Sequence, residues 1–191
     1  MAEPLEDAMD SGDKRIALLI AILALFLALA EAGAKNAEHR STELNIEASD
    51  LYNFYQAKKV RSTIAETAAQ AFEVERSATS DAQTQDAIDK QIAVWKAAVA
   101  KFEKDPKTPA DSLDALQERA TQASEGRELS NRKLEHFEYA SGALQIAVVL
   151  ASAAIITGAV ALAWIAGALG LLGAVLLGFG YLAPLALPIF G

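Results

Sequence analysis

The chain has 191 residues, 52% hydrophobic and 22% charged, with no cysteine and a formal net charge of −8. That acidic balance excludes the basic face that nucleic-acid phosphates require, and the missing cysteines exclude disulfides and thiolate metal sites. Every Asp, Glu, Lys and Arg lies in residues 1–15 or 31–138, so residues 16–30 and 139–191 carry no formal side-chain charge.

Residues 1–15 form a polar leader with five acids before Lys14 and Arg15. Asp13 is the expected N-cap of the helix that follows, because a carboxylate there can accept the free amides of a first turn. The acidic leader argues against a cleaved signal peptide, so the next segment is expected to be a retained span. Its apolar run, residues 16–30, rises only about 23 Å as a helix, against a hydrocarbon core of about 30 Å. Extending the span to residues 16–34 repairs the length and puts Glu31 at its end, as a candidate acid at headgroup level. Ala17, Ala21, Ala24 and Ala28 recur every three or four residues. They predict a small-residue stripe for packing against a neighbouring helix.

Residues 35–138 are expected to form an extramembrane helical domain carrying 15 basic and 20 acidic residues counted from Glu31. No Pro or Gly falls between Lys35 and Arg76, so the first helix should continue to about Arg76. Leu44, Ala48, Leu51 and Tyr55 mark its apolar face, followed by Val60, Ile64, Ala68 and Phe72 at steps of four. Residues 77–81 read as a turn. Ile88, Ile92, Trp95, Val99 and Phe102 then form an amphipathic stripe. Residues 105–109 end that helix, and Thr108 is the expected cap of the next, with Pro109 in its first turn. Leu113, Leu116, Ala120 and Ala123 begin a heptad that Arg127 and Ser130 interrupt and Leu134 and Phe137 resume.

The uncharged stretch from Tyr139 onward is long enough for two crossings. Transmembrane helices are expected at 139–157 and 159–181, turning near Thr157 and Gly158. Ala163, Gly167, Gly170, Ala174 and Gly178 form a second small-residue stripe. Pro184 and Pro188 forbid a regular helix in the tail, residues 182–191. The expected fold is thus an all-α membrane protein: three transmembrane helices with a long extramembrane helical hairpin or coiled-coil segment.

Three stretches carry a family resemblance: DKRIALLIAILALFLALAEAGAK at 13–35, NIEASDLYNFYQAKKVRST at 45–63 and LEHFEYASGALQIAVVLASAAIITG at 134–158. With them the chain resembles a bacterial family of three-span inner-membrane proteins known only as a domain of unknown function. The resemblance implies that location and three spans, and it brings no activity or site residue. Members often have basic residues between the last two spans; the turn at 157–160 has none.

Chemistry-bearing motifs are scarce. His39 and His136 flank the membrane segments beside Glu38, Glu135 and Glu138. Neither has a second ligand at the i, i+4 spacing of a helical zinc site, so both are expected to be solvated at the interface. Tyr52, Phe54 and Tyr55 precede Lys58, Lys59 and Arg61, but the acidic balance favours core contacts over base stacking. Gly167, Gly170 and Gly173 lack the Lys and Ser/Thr of a phosphate loop, and no serine sits in a nucleophile motif. No catalytic, cofactor or metal residue is therefore expected, and the chain is read as a non-enzyme.

The expected function is an integral membrane scaffold or accessory subunit, self-associating or bound to a larger membrane complex, with the lipid bilayer and a second copy as partners. The alternative is a homo-oligomeric channel or transporter subunit, for which only Ser141, Gln145, Ser152 and Thr157 offer polar groups within a span. Lys14 and Arg15 place the N-terminus in the cytoplasm and the middle domain in the periplasm.

Overall fold

The computed structural model describes residues 3–104 and 106–186, with side chains described from Lys14. They fold as α1 (Glu3–Ala78), α2 (Ala82–Glu103), a short 3-10 turn (Pro109–Asp111), α3 (Leu113–Thr157) and α4 (Val160–Leu182), with no strand among them. Stretches within α1, α3 and α4 are each long and apolar enough to cross a membrane. Two compact units result: Met1–Thr42 with Gly126–Gly191, and Glu43–Glu125.

In the first unit α3 is the innermost helix. Ala140, Leu144, Ala147 and Ala151 are fully buried, and Phe137 nearly so. On α1 the buried residues are Leu23, Ala30 and Ala37, with Ile16, Ile20, Leu27 and Ala34 packed beside them. These fall alternately four and three residues apart, which keeps one face of a helix toward its neighbours. On α4 the buried row is Ala166, Gly170, Gly173, Leu177 and Gly180, with the same alternation. Between α3 and α4 the chain turns at Gly158, whose φ of 66° lies in the left-handed region that glycine enters at no steric cost.

In the second unit α1 keeps the same spacing. Leu44, Ala48, Leu51, Lys58, Ser62, Ala65 and Ala69 are buried, and Tyr55 and Phe72 are half-buried. Beyond Tyr55 the expected face fails at Val60 and Ile64, which are 57% and 60% exposed, while Ala68 and Phe72 are half-buried. A step of four drifts away from the 3.5-residue period, whereas Lys58 and Ser62 hold it despite their polarity. Lys58 lays its aliphatic stem in the seam, donates from Nζ to the Asp111 carbonyl and places the ammonium 5.7 Å from the Phe54 ring centroid. Leu116 and Ala120 of α3 meet Leu51, and Ala123 meets Leu44 and Ala48.

Three local expectations are revised. The side chain of Asp13 lies outside the described residues, and α1 itself begins at Glu3. Thr108 makes no side-chain cap; Pro109–Asp111 is a separate 3-10 turn. Ser112 caps α3 instead, its Oγ accepting from the Ala115 amide at 3.2 Å. Ser130 does not interrupt the α3 heptad, because it is buried and its hydroxyl donates to the Gly126 carbonyl at 3.0 Å. Pro188 lies outside the described residues.

Candidate functional site

The small-residue stripes of α1 and α4 occupy different surroundings. Ala17, Ala21, Ala24 and Ala28 are all exposed, because the inward face of α1 belongs to the larger Ile16, Ile20, Leu23 and Leu27. Among the described residues the alanine stripe therefore lies outside the buried face of α1. Leu18, Leu25 and Leu29 beside it are exposed too.

On α4 the expected stripe is only partly used inside the chain. Gly170 is buried, and a Cβ there would run into Cδ2 of Leu23. Ala163, Gly167, Ala174 and Gly178 are half-buried, and Cβ atoms on Gly167 or Gly178 would meet open space. Further close contacts come from glycines one helical row away. A Cβ on Gly173 would stand 2.7 Å from Cγ of Leu144, and one on Gly180 would stand 2.6 Å from the Phe137 ring. Gly33 of α1 approaches the same ring, with its Cβ position 3.0 Å away. Phe137 thus fills the space that glycines on two helices leave open. The alternating four-three spacing of 166, 170, 173, 177 and 180 was the signal for this row.

A polar groove opens between α1 and α3 where the uncharged stretches end. Glu31, Lys35, Glu38, His39 and Thr42 line one side, and Glu138, Ser141 and Gln145 line the other, around a volume of about 730 Å³. The Gln145 amide donates to Glu31 at 3.4 Å and to the Ser141 hydroxyl at 3.3 Å. Glu31 is thus exposed and bridged to α3. The groove holds three carboxylates and one imidazole, but among the described residues no three His, Cys, Asp or Glu side chains are grouped to hold a metal ion.

The two histidines do not share a site. His39 is exposed on the groove wall. His136, expected to be solvated, is 1% exposed, with its ring 6.4 Å from that of Phe179 and Nε2 3.2 Å from the Pro184 carbonyl. A carbonyl can only accept, so this bond places the proton of a neutral ring on Nε2. Nδ1 is buried without a partner among the described residues. The Pro184 turn after α4 closes over a ring that a pattern of flanking acids had marked as exposed.

Of the other polar side chains in the apolar part of α3, Ser152 donates to the Val148 carbonyl at 2.8 Å and Thr157 to the Ala153 carbonyl at 2.7 Å. Both satisfy themselves on their own helix.

A family model described as a domain of unknown function matches residues 12–183. No curated protein and no solved structure matches the chain.

Proposed function

The chain belongs to the DUF4337 family, a domain of unknown function, and since that membership brings no activity we propose that the protein is a non-enzymatic, multi-pass membrane scaffold or accessory subunit that self-associates through α1. One observation carries the reading. The alanine stripe of α1 lies on the exposed face of that helix, together with Leu18, Ile22, Leu25 and Leu29, while Leu23 is buried and Ile16, Ile20 and Leu27 are half-buried on the opposite face. In lipid the hydrophobic drive between helices is weak, so close packing of small residues supplies the attraction, and an outward row of alanines is suited to a second helix.

The outer surface supports membrane insertion. Leu18, Val149, Ile156, Trp164, Leu171 and Leu182 are 63–88% exposed, far more apolar surface than a water-soluble monomer tolerates. Bacterial inner membrane is the location that the family resemblance favours. Lys14 and Arg15 favour a cytoplasmic N-terminus; the basic residues of the middle domain count for less, because that segment exceeds the roughly 60 residues over which the charge rule acts.

A channel subunit is the alternative, and its support is the Glu31–Gln145–Ser141 chain across the groove. The Ser152 and Thr157 hydroxyls weigh against it, because their bonds return to α3 rather than facing a lumen. Native mass spectrometry from lipid nanodiscs tests the scaffold reading: two or more copies, or one copy with a retained partner, support it, and a bare monomer contradicts it.

A further inference from the structure

We infer that the groove on the other side of α1 from Glu31 is a binding site for the phosphate headgroup of an anionic phospholipid. The inference rests on the membrane reading above. The groove of about 400 Å³ is lined by Asn36 and Arg40 of α1, Lys133 of α3 and Tyr181 of α4, over a floor of Gly33 and Phe137. It contains two cations and no carboxylate, whereas the groove lined by Glu31 contains Glu31, Glu38 and Glu138. A phosphate is therefore directed to one groove by attraction and away from the other by like charge.

Its position fits a headgroup rather than a dissolved anion. Gly33 and Phe137 each stand within a few residues of the end of an uncharged stretch, and Tyr181 is the second-last residue of α4. Arg40 and Lys133 lie further along α1 and α3, on the charged side of that boundary. Cations just outside an apolar span attract anionic headgroups over about a Debye length, on whichever face the anionic lipid lies. Tyr181 sits at the edge, its hydroxyl 3.5 Å from the Leu29 carbonyl; aromatic rings with a polar tip favour this level of a bilayer. Leu29, 44% exposed, continues from Tyr181 into the apolar stretch as surface for acyl chains. The last carbonyls of α4 bring about half a negative charge to the groove, against the two cations of its lining.

The groove can open there because of its glycines. Gly33 and Gly180 both abut the Phe137 ring, so neither contributes a side chain that would fill the space. The Asn36 side chain adds a neutral donor beside the two cations, a combination suited to a phosphodiester.

The test titrates the full-length protein in mild detergent with phosphatidylglycerol, phosphatidylcholine or inorganic phosphate, and reads bound ligand by native mass spectrometry. Phosphatidylglycerol is expected to bind about tenfold or more tightly than phosphatidylcholine. The double variant Arg40→Gln/Lys133→Gln is expected to bind it about 30-fold more weakly, about 2 kcal/mol at 1.4 kcal/mol per tenfold. Arg40→Lys/Lys133→Arg keeps both charges and should retain the preference, as should Lys59→Gln/Lys101→Gln in the other unit. Equal binding of the two lipids, or an unchanged double Gln variant, overturns the proposal. Inorganic phosphate binding as tightly as phosphatidylglycerol also overturns it, since the site would then serve free anions. Should the Gln variant fail to fold, the lipid preference of the wild type and of the charge-keeping variant decides. Carbonate extraction separates the two readings: a protein that stays in membranes without lipid preference loses only the groove, and one that is released loses both.

Discussion

A methyl group on Gly173 would stand 2.7 Å from Cγ of Leu144 and 3.2 Å from the Ala140 carbonyl oxygen. The branch carbon of a fully buried leucine and a backbone oxygen cannot move aside as a flexible side-chain tip can. α4 therefore lies against α3 only while residue 173 has no side chain. Gly173→Ala is expected to cost about 1–3 kcal/mol by overpacking. Gly167→Ala meets open space and should be neutral, or stabilising by up to about 1 kcal/mol through helix propensity. Thermal or denaturant unfolding of the two variants in the same detergent checks this, and an equal loss in both would remove the packing role of Gly173.

Ser112 is the cap that sets the start of α3. Its hydroxyl accepts from the Ala115 amide and its carbonyl from the Leu116 amide at 2.9 Å. Ser112→Ala should destabilise by about 1 kcal/mol, in the usual range for a lost N-cap. Thr108→Ala removes no cap bond and should leave stability nearly unchanged. Hydrogen exchange at residues 115 and 116 reads the difference at the helix end itself.

Asp81 makes the start of α2 sensitive to acid. Hydrogen bonds from the Thr84 hydroxyl and the Thr84 amide hold its carboxyl below the usual aspartate value. A carboxyl lowered on folding contributes stability above its unfolded pKa and loses that contribution as pH falls through the folded value. Exchange protection of the Thr84 amide, relative to its intrinsic rate, is thus expected to fall on acidification below the ordinary aspartate range. Asp81→Asn should flatten that dependence while keeping much of the cap, because asparagine also accepts at this position.

The helical architecture could be read from the chain because its determinants are local. Residues 35–76 lack breakers, and the turns around Asp81 and Gly158 have polar or glycine residues where helices end. Finer placement depended on partners that a single helix does not reveal. Lys58 is inside because Asp111, far along the chain, offers a carbonyl. His136 is inside because the Pro184 turn folds back over it. Val60 and Ile64 look like core residues by composition, yet the seven-residue spacing carries them outward. Among the small residues, Gly170 belongs to both the expected stripe and the buried row. Gly173 and Gly180 were passed over although their four-three spacing matches the α3 surface they meet. The groove around Glu31 needed two helices to be brought side by side, so Glu38, His39, Glu138, Ser141 and Gln145 stood out in the sequence separately and not as one site.

Self-association through α1 requires the exposed alanines of that helix to meet another helix. Native mass spectrometry of the protein in lipid nanodiscs, wild type against Ala24→Leu, measures this directly. Leucine adds bulk where backbones would approach, at a cost of about 1–3 kcal/mol for a filled interface. An equivalent change at the exposed Val175, Val175→Leu, serves as the control. The expected result is a defined oligomer or complex for the wild type and the control, with dissociation toward single chains for Ala24→Leu. A single chain in all three would contradict self-association through α1, and an unchanged oligomer in Ala24→Leu would show that another surface holds the copies together.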